Sequence, residues 1–189
     1  MKKDLRNVFL LVMTVVMGML LCGCKQDIQL QDITVQGVST SVTMKAPFET
    51  KEAKVPPILP NEKKFITKKM ATEGHDDKLQ IMTACTGYNA EMIKTGKIVI
   101  DLEKQANVLK ANVSKNYRNA ENVEMTDVMV GDIKAKQIKF SYMSKNDSKL
   151  DTTMMFFNKE NDFWVVEVSS RDRDEDARKV AEEILTTVK

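Results

Sequence analysis

The residues of this 189-residue chain best suited to covalent or metal chemistry are few: three cysteines and one histidine. Cys22 and Cys24 stand two positions apart. A thiolate is the strongest common side-chain nucleophile near neutral pH, so this pair offers covalent attachment, disulfide exchange or half of a metal site. A metal or redox reading needs further soft or imidazole ligands, and only Cys85 and His75 remain to supply them. No CxxC, H-E-x-x-H, phosphate-binding glycine loop or dinucleotide fingerprint occurs. His75 lies beside Asp76 and Asp77 but lacks a nucleophile, because Cys85 reads as a buried, inert residue on a strand. Asp172, Asp174, Glu175 and Asp176 gather four acids within five residues. They lack the glycine turn and distal glutamate of a calcium loop, and Arg171 and Arg173 compete for the carboxylates. A solvated helix start accounts for them, and no metal site or cofactor is expected.

The surroundings of Cys22 and Cys24 decide between their chemistries. Residues 1–7 carry Lys2, Lys3 and Arg6 against Asp4, and residues 8–21 are uncharged, with only Thr14 and Gly18 breaking the apolar run. A basic head followed by such a run is the build of a secretory signal. The run falls short of the ~20 apolar residues a single helix needs to cross the hydrocarbon layer. It ends in Leu21-Cys22-Gly23-Cys24, which resembles the lipobox of bacterial lipoproteins. Leu21, Gly23 and Cys24 match that motif, while Cys22 stands where a small residue is usual.

The resemblance implies that residues 1–23 are a signal peptide, that cleavage falls between Gly23 and Cys24, and that Cys24 carries diacylglycerol. A single acyl chain gives only marginal, reversible attachment, so two or three chains on Cys24 are what hold such a domain on the bilayer. The implied location is the bacterial cell envelope. Lys25, in place of an aspartate after the cysteine, resembles lipoproteins released to the outer membrane in two-membrane bacteria. In a host with one membrane the anchor places the domain on that membrane's outer face.

Composition narrows the possibilities for the remainder. Cleavage leaves 166 residues, a suitable length for one domain, and removes three basic and one acidic residue, so the mature side chains balance at 26 against 26. A nucleic-acid partner has no overall basic charge to support it. Tyr88, Tyr117 and Tyr142 are too scattered for a stacking platform. Lys63, Lys64, Lys68, Lys69 and the lysines of residues 101–115 are interspersed with acids and read as an ordinary solvated surface. With Cys24 acylated, Cys85 has no partner and no disulfide framework is available.

The elements that must position these groups follow from periodicity. Residues 24–37 read as the lipidated cysteine followed by a tether or first strand, and residues 38–189 as a single α+β domain. Residues 48–64 contain Pro56, Pro57 and Pro60 and form a surface connection. Residues 65–71 and 79–86 are strands, with a hairpin loop at 72–77 marked by Gly74. Residues 86–97 are left undecided between structures. Leu102, Ala106, Leu109, Val113 and Tyr117 recur at helical spacing, so an amphipathic helix starts at Asp101. Four strands follow at residues 123–130, 134–143, 150–157 and 163–169, joined by short turns. Met154, Met155, Phe156 and Phe157 are apolar on both faces, which predicts a sheet centre covered on both sides. A last amphipathic helix spans residues 172–188, with Asp172 and Glu175 arranged as a capping box.

This order, with Val130-Gly131-Asp132 at a turn, the alternating 135–142 strand, Trp164-Val165-Val166 and the closing helix, resembles the PsbP-like fold. That fold is shared by PsbP-like photosystem proteins, the Ran-binding Mog protein and a set of bacterial lipoproteins. The resemblance covers residues 38–188. It implies a Mog/PsbP-type sandwich, an antiparallel β-sheet packed by helices, and a scaffold or binding role. The expected function is a membrane-anchored, non-catalytic envelope lipoprotein that contacts the bilayer through acylated Cys24 and binds another envelope protein or a small ligand. The alternative is an extracytoplasmic hydrolase using separated carboxylates or a hydroxyl nucleophile.

Overall fold

The structure is a computed structural model that describes residues 28–189. The lipobox residues Leu21, Cys22, Gly23 and Cys24 lie outside the described residues. Those described form an α+β domain of antiparallel sheets packed against helices. Among them no helix is long and apolar enough to cross a membrane.

The chain runs through strands β1 (Gln31–Gln36), β2 (Ser41–Ala46), β3 (Lys51–Glu52), β4 (Ile66–His75) and β5 (Leu79–Tyr88). Helices α1 (Ala90–Lys94) and α2 (Leu102–Asn116) come next. Strands β6 (Glu121–Val130), β7 (Ile133–Met143), β8 (Lys149–Lys159) and β9 (Asp162–Arg171) then lead to helix α3 (Glu175–Thr186). Seven strands make one sheet in the order β3-β4-β5-β9-β8-β7-β6, and β1 and β2 form a separate hairpin. The expected four-strand meander is present as β6 to β9. What the sequence did not indicate is that β9 also pairs with β5, joining the two halves of the chain.

Alternation along the central strands assigns their side chains to two cores. On one face Trp164, Val166 and Val168 of β9, Met155 and Phe157 of β8, and Ile81 and Cys85 of β5 pack beneath α3 and the β1–β2 hairpin. On the other, Phe163 of β9, Met154 and Phe156 of β8, and Ile138 and Phe140 of β7 pack beneath α2, which contributes Ala106 and Val113. The central strands are thus covered on both sides, as the run Met154 to Phe157 required. Fully burying Phe156, Phe157 and Trp164 is worth roughly 1.5–3 kcal/mol apiece.

The β1–β2 hairpin is fixed by close approach and by buried polar bonds. A Cβ on Gly87 of β5 would stand 2.5 Å from the Val38 side chain, so only glycine lets the hairpin turn sit down on the sheet. Residues 31–36 are therefore a strand of the packed structure, with Ile33 and Val35 buried. At its other side the hairpin receives the end of the chain, where Thr43 and Lys189 exchange two backbone hydrogen bonds.

Three local expectations change. First, β4 continues to His75, and the turn shrinks to residues 76–78. Gly74 is needed because a Cβ there would stand 2.9 Å from the Phe48 ring, and it marks no turn. Second, the undecided segment contains the short helix α1, capped by Asn89. Third, the last helix starts later than the Asp172–Glu175 capping box predicts. Its N-cap is Asp174, whose carboxylate accepts from the Ala177 backbone N–H at 2.9 Å. The backbone at Arg173 has φ 68°, which is incompatible with a helix passing through it.

Candidate functional site

The strand register separates the residues with catalytic potential. His75 pairs with Gln80 at the end of the sheet that carries the β4–β5 and β7–β8 turns, while Cys85 lies five positions further along β5 opposite Met70. Cys85 is buried, and that burial pushes its thiol up to about 12, with the Asp162 charge adding to the shift. A thiol so placed is almost wholly unionised at neutral pH and is a poor nucleophile. In the acidic cluster Asp174 is committed to capping α3. Among the described residues no three or more His, Cys, Asp or Glu side chains are grouped to hold a metal ion. Of the basic candidates, Lys69 pairs with Glu62 at 2.9 Å, and the Lys64 ammonium lies 4.6 Å from the centre of the Phe65 ring.

Two carboxyls that sequence reasoning passed over are buried in the sheet. Asp162 accepts four hydrogen bonds of 2.8 to 2.9 Å, from the backbone N–H and hydroxyl of both Ser39 and Thr40. Its burial alone would raise its pKa, but the four donors outweigh that and hold it below the usual value. Thr40 in turn accepts from the Trp164 indole at 3.0 Å. Glu167, on the α2 face of β9, is only 6% exposed and accepts a 2.7 Å hydrogen bond from the Tyr117 hydroxyl. Burial pushes its carboxyl up, with the Tyr117 bond opposing. Tyr117 and Tyr142 meet edge to face at 4.9 Å, and Phe140 completes the cluster at 4.7 Å from Tyr117. Of the three tyrosines scattered in sequence, Tyr117 and Tyr142 thus come together as a packed lid over Glu167, while Tyr88 stands apart and bonds to Gln105. Both carboxyls are engaged by side chains from other elements and act as clamps. Neither lines any of the clefts described next.

Open space lies in two places of note. On the α3 face a groove runs between α3 and strands β6 to β9, in sections of about 280 and 380 Å³. Its acids outnumber its cations, with Lys139 and Arg178 facing Glu124, Asp151 and Glu182, and a Lys139–Glu182 pair at 3.8 Å stands between the two sections. The second space is a cleft of about 390 Å³ near the opposite end of the sheet from His75. It lies in the size range of small-molecule sites. Phe65, Ile66, Tyr88, Ile98, Val99 and Val108 give it an apolar lining, and Glu62, Lys97, Asp101, Lys104 and Gln105 provide polar groups.

Local chemistry explains why the cleft is there. Asp101 ends the preceding extended stretch by capping α2, accepting from the Lys104 backbone N–H at 3.0 Å. Gly96, at φ +70°, turns the chain after α1 so that Lys97 and Ile98 donate to the Met92 carbonyl. The Asn158 amide then pins the Ile100 carbonyl at 3.0 Å. These constraints hold residues 97–101 as one wall. The Gln105 amide donates to the Tyr88 hydroxyl at 2.9 Å and fixes the first turns of α2 against the sheet. The turn before β4 closes the other side, with Glu62 accepting from the Leu59 N–H and from Lys69. Those bonds, the Leu59 bond foremost, hold the Glu62 carboxyl below its ordinary range.

The wall carries apolar surface left open to solvent. Val99 is 79% exposed and Val108 52% exposed, although Val108 lies on a helix whose Ala106 and Val113 are buried. Single exposed apolar residues are ordinary, but two at the mouth of one apolar cleft form a patch that binding would cover. The sequence signal that could have located it is Val108, which falls off the Leu102, Ala106, Leu109 and Val113 stripe.

No protein family model and no curated relative matches the chain. Among solved structures it is similar to PA94 from Pseudomonas aeruginosa, a protein of unknown function and putative regulator. That likeness has a TM-score of 0.46 and 6% identity, over 83% of this chain and 95% of the other. It is also similar to LpqN, involved in cell envelope biogenesis of Mycobacterium tuberculosis, with a TM-score of 0.42 and 15% identity over 86% and 93% of the two chains. Neither likeness carries an argument about function.

Proposed function

We propose that this protein is a lipid-anchored, non-catalytic component of a bacterial cell envelope, with a domain of the PsbP-like build that binds a partner molecule outside the cytoplasm. The observation that carries the reading is Leu21-Cys22-Gly23-Cys24 placed directly after fourteen uncharged residues. Acyl chains on Cys24 hold the protein to the bilayer, and the apolar cleft beside Val99 and Val108 receives the ligand. The binding role is supported by what the polar side chains do. The buried acids Asp162 and Glu167 are tied to Ser39, Thr40 and Tyr117, and Cys85 is kept protonated.

Anchoring is tested by metabolic labelling of growing cells with radiolabelled palmitate. Label should enter the wild-type chain and be absent from Cys24→Ser, and equal incorporation in both would refute the assignment. Hydrolytic turnover that survives purification of the protein and depends on one of its carboxylates would refute the non-catalytic reading.

A further inference from the structure

We infer that the cleft between α2, the residue 97–101 wall and the turn before β4 takes a small anionic amphiphile, with its apolar body against Phe65, Ile98, Val99 and Val108 and its headgroup facing Lys97 and Lys104. This rests on the binding half of the function proposed above and is independent of anchoring.

The argument is one of charge left over. Four charged side chains line the cleft: Glu62, Lys97, Asp101 and Lys104. Glu62 is paired with a cation from within the fold, and Asp101 is engaged by a backbone donor. Glu62 holds Lys69 and the Leu59 N–H, and Asp101 holds the Lys104 backbone N–H. The two ammonium groups, by contrast, have no carboxylate within ion-pair distance among the described residues. Some surface lysines are paired, as Lys136 is with Asp127 and Glu103 and Lys149 with Glu121; what sets Lys97 and Lys104 apart is that both line one apolar cleft. The cleft therefore presents two uncommitted cations beside an apolar lining. A neutral hydrocarbon would leave both cations unused, and a cation would be repelled. A chain or ring ending in a carboxylate, sulfonate or phosphate answers both halves of the surface, and the flexible lysine stems can follow the headgroup while adding apolar contact. The groove on the α3 face is the poorer site for an anion, because three carboxylates face its two cations.

The test uses the full-length protein in its native membranes and a photoreactive dodecanoate bearing a diazirine and an alkyne handle, with the matching dodecanol as the neutral probe. Labelled peptides are mapped by mass spectrometry. The acid should label residues 97–108 and 62–66, and excess unlabelled dodecanoate should compete. Lys97→Glu with Lys104→Glu should reduce that labelling roughly fivefold to tenfold, as two partly exposed charge contacts would give. Lys145→Glu, at the opposite end of the sheet, should leave it unchanged, and unaltered protease resistance of the variants shows that they remain folded. Equal labelling of the cleft by acid and alcohol overturns the anionic assignment while leaving a binding role intact. Absence of cleft labelling by either probe, or capture of a protein instead by a photoreactive group placed at Val99, overturns the inference. The palmitate experiment decides the anchor separately.

Discussion

Asp162 and Glu167 sit on one strand and are shifted in opposite senses although burial raises both, because one meets four donors and the other meets one. Glu167 is raised above its unfolded value, so the folded protein binds its proton more tightly than the unfolded chain does. The stability it contributes is fully present below the unfolded pKa and is lost as pH rises through the folded one. Glu167→Gln retains an acceptor for the Tyr117 hydroxyl without the charge. Thermal melts across mildly acidic to alkaline pH should show wild-type stability falling through that window, while the variant loses this component and becomes the more stable of the two at the alkaline end. A wild-type and variant difference that does not change with pH would disprove it. Asp162 has the opposite sign, being held below its unfolded value, so its contribution is present above the unfolded pKa and lost as pH falls through the folded one. Asp162→Asn turns one oxygen into a donor facing Ser39 and Thr40, and should cost about 2 kcal/mol at neutral pH with a smaller penalty in acid. A penalty that grows in acid would show that the hairpin is not held by the charged form.

The first turn of α3 gives a test at the scale of an element. Asp172 and Asp174 both fit the composition of an N-cap, and only the positive φ at Arg173 tells which of them begins the helix. Asp174→Ala should destabilise the protein by about 1 kcal/mol in urea melts, whereas Asp172→Ala should stay within a few tenths. Equal losses would mean that the helix starts earlier. The same case shows where sequence reading stops. Asp101 was legible as the cap of α2 because one acid precedes one clean stripe. The meander was legible because its strands alternate and its turns are short. The β5–β9 pairing was not, since it joins residues roughly eighty positions apart with no local signal between them. Gly74 looked like a turn because glycine serves loops and close contacts alike, and only the Phe48 ring reveals which role it has here. The cleft was equally hidden. It assembles residues 62–66, Tyr88 and 97–108 from three places in the chain, and its one sequence trace is a valine on the wrong side of a helix.

At the scale of the whole molecule, the register fixes how the domain stands relative to its proposed anchor. Only Lys25, Gln26 and Asp27 separate Cys24 from Ile28, the first described residue. Four extended steps span at most about 14 Å. Ile28 and Leu30 pack against the core beneath α3, immediately before Gln31, which pairs with Ala46. That end of the hairpin leads to Phe48, which packs over Gly74 in the half of β4 nearest the β4–β5 turn. The opposite end of the hairpin, at Ser39 and Thr40, is held by Asp162 next to the β8–β9 turn. A short tether should therefore hold the His75 and Asn146 end towards the lipid and turn the cleft away from it. Strands of ten and eleven residues place those ends roughly 30 Å apart. Spin labels attached at Asn146→Cys or Val99→Cys, in the acylated protein with Cys85 left buried, should report this through relaxation by a paramagnetic lipid headgroup. Strong relaxation at position 146 and little at 99 is the expected outcome, and it would leave the cleft open to ligands arriving from the aqueous side. Equal relaxation at both would mean that the domain lies flat or tumbles on its tether. The reverse order would press the cleft to the bilayer and make the lipid itself the source of its ligand.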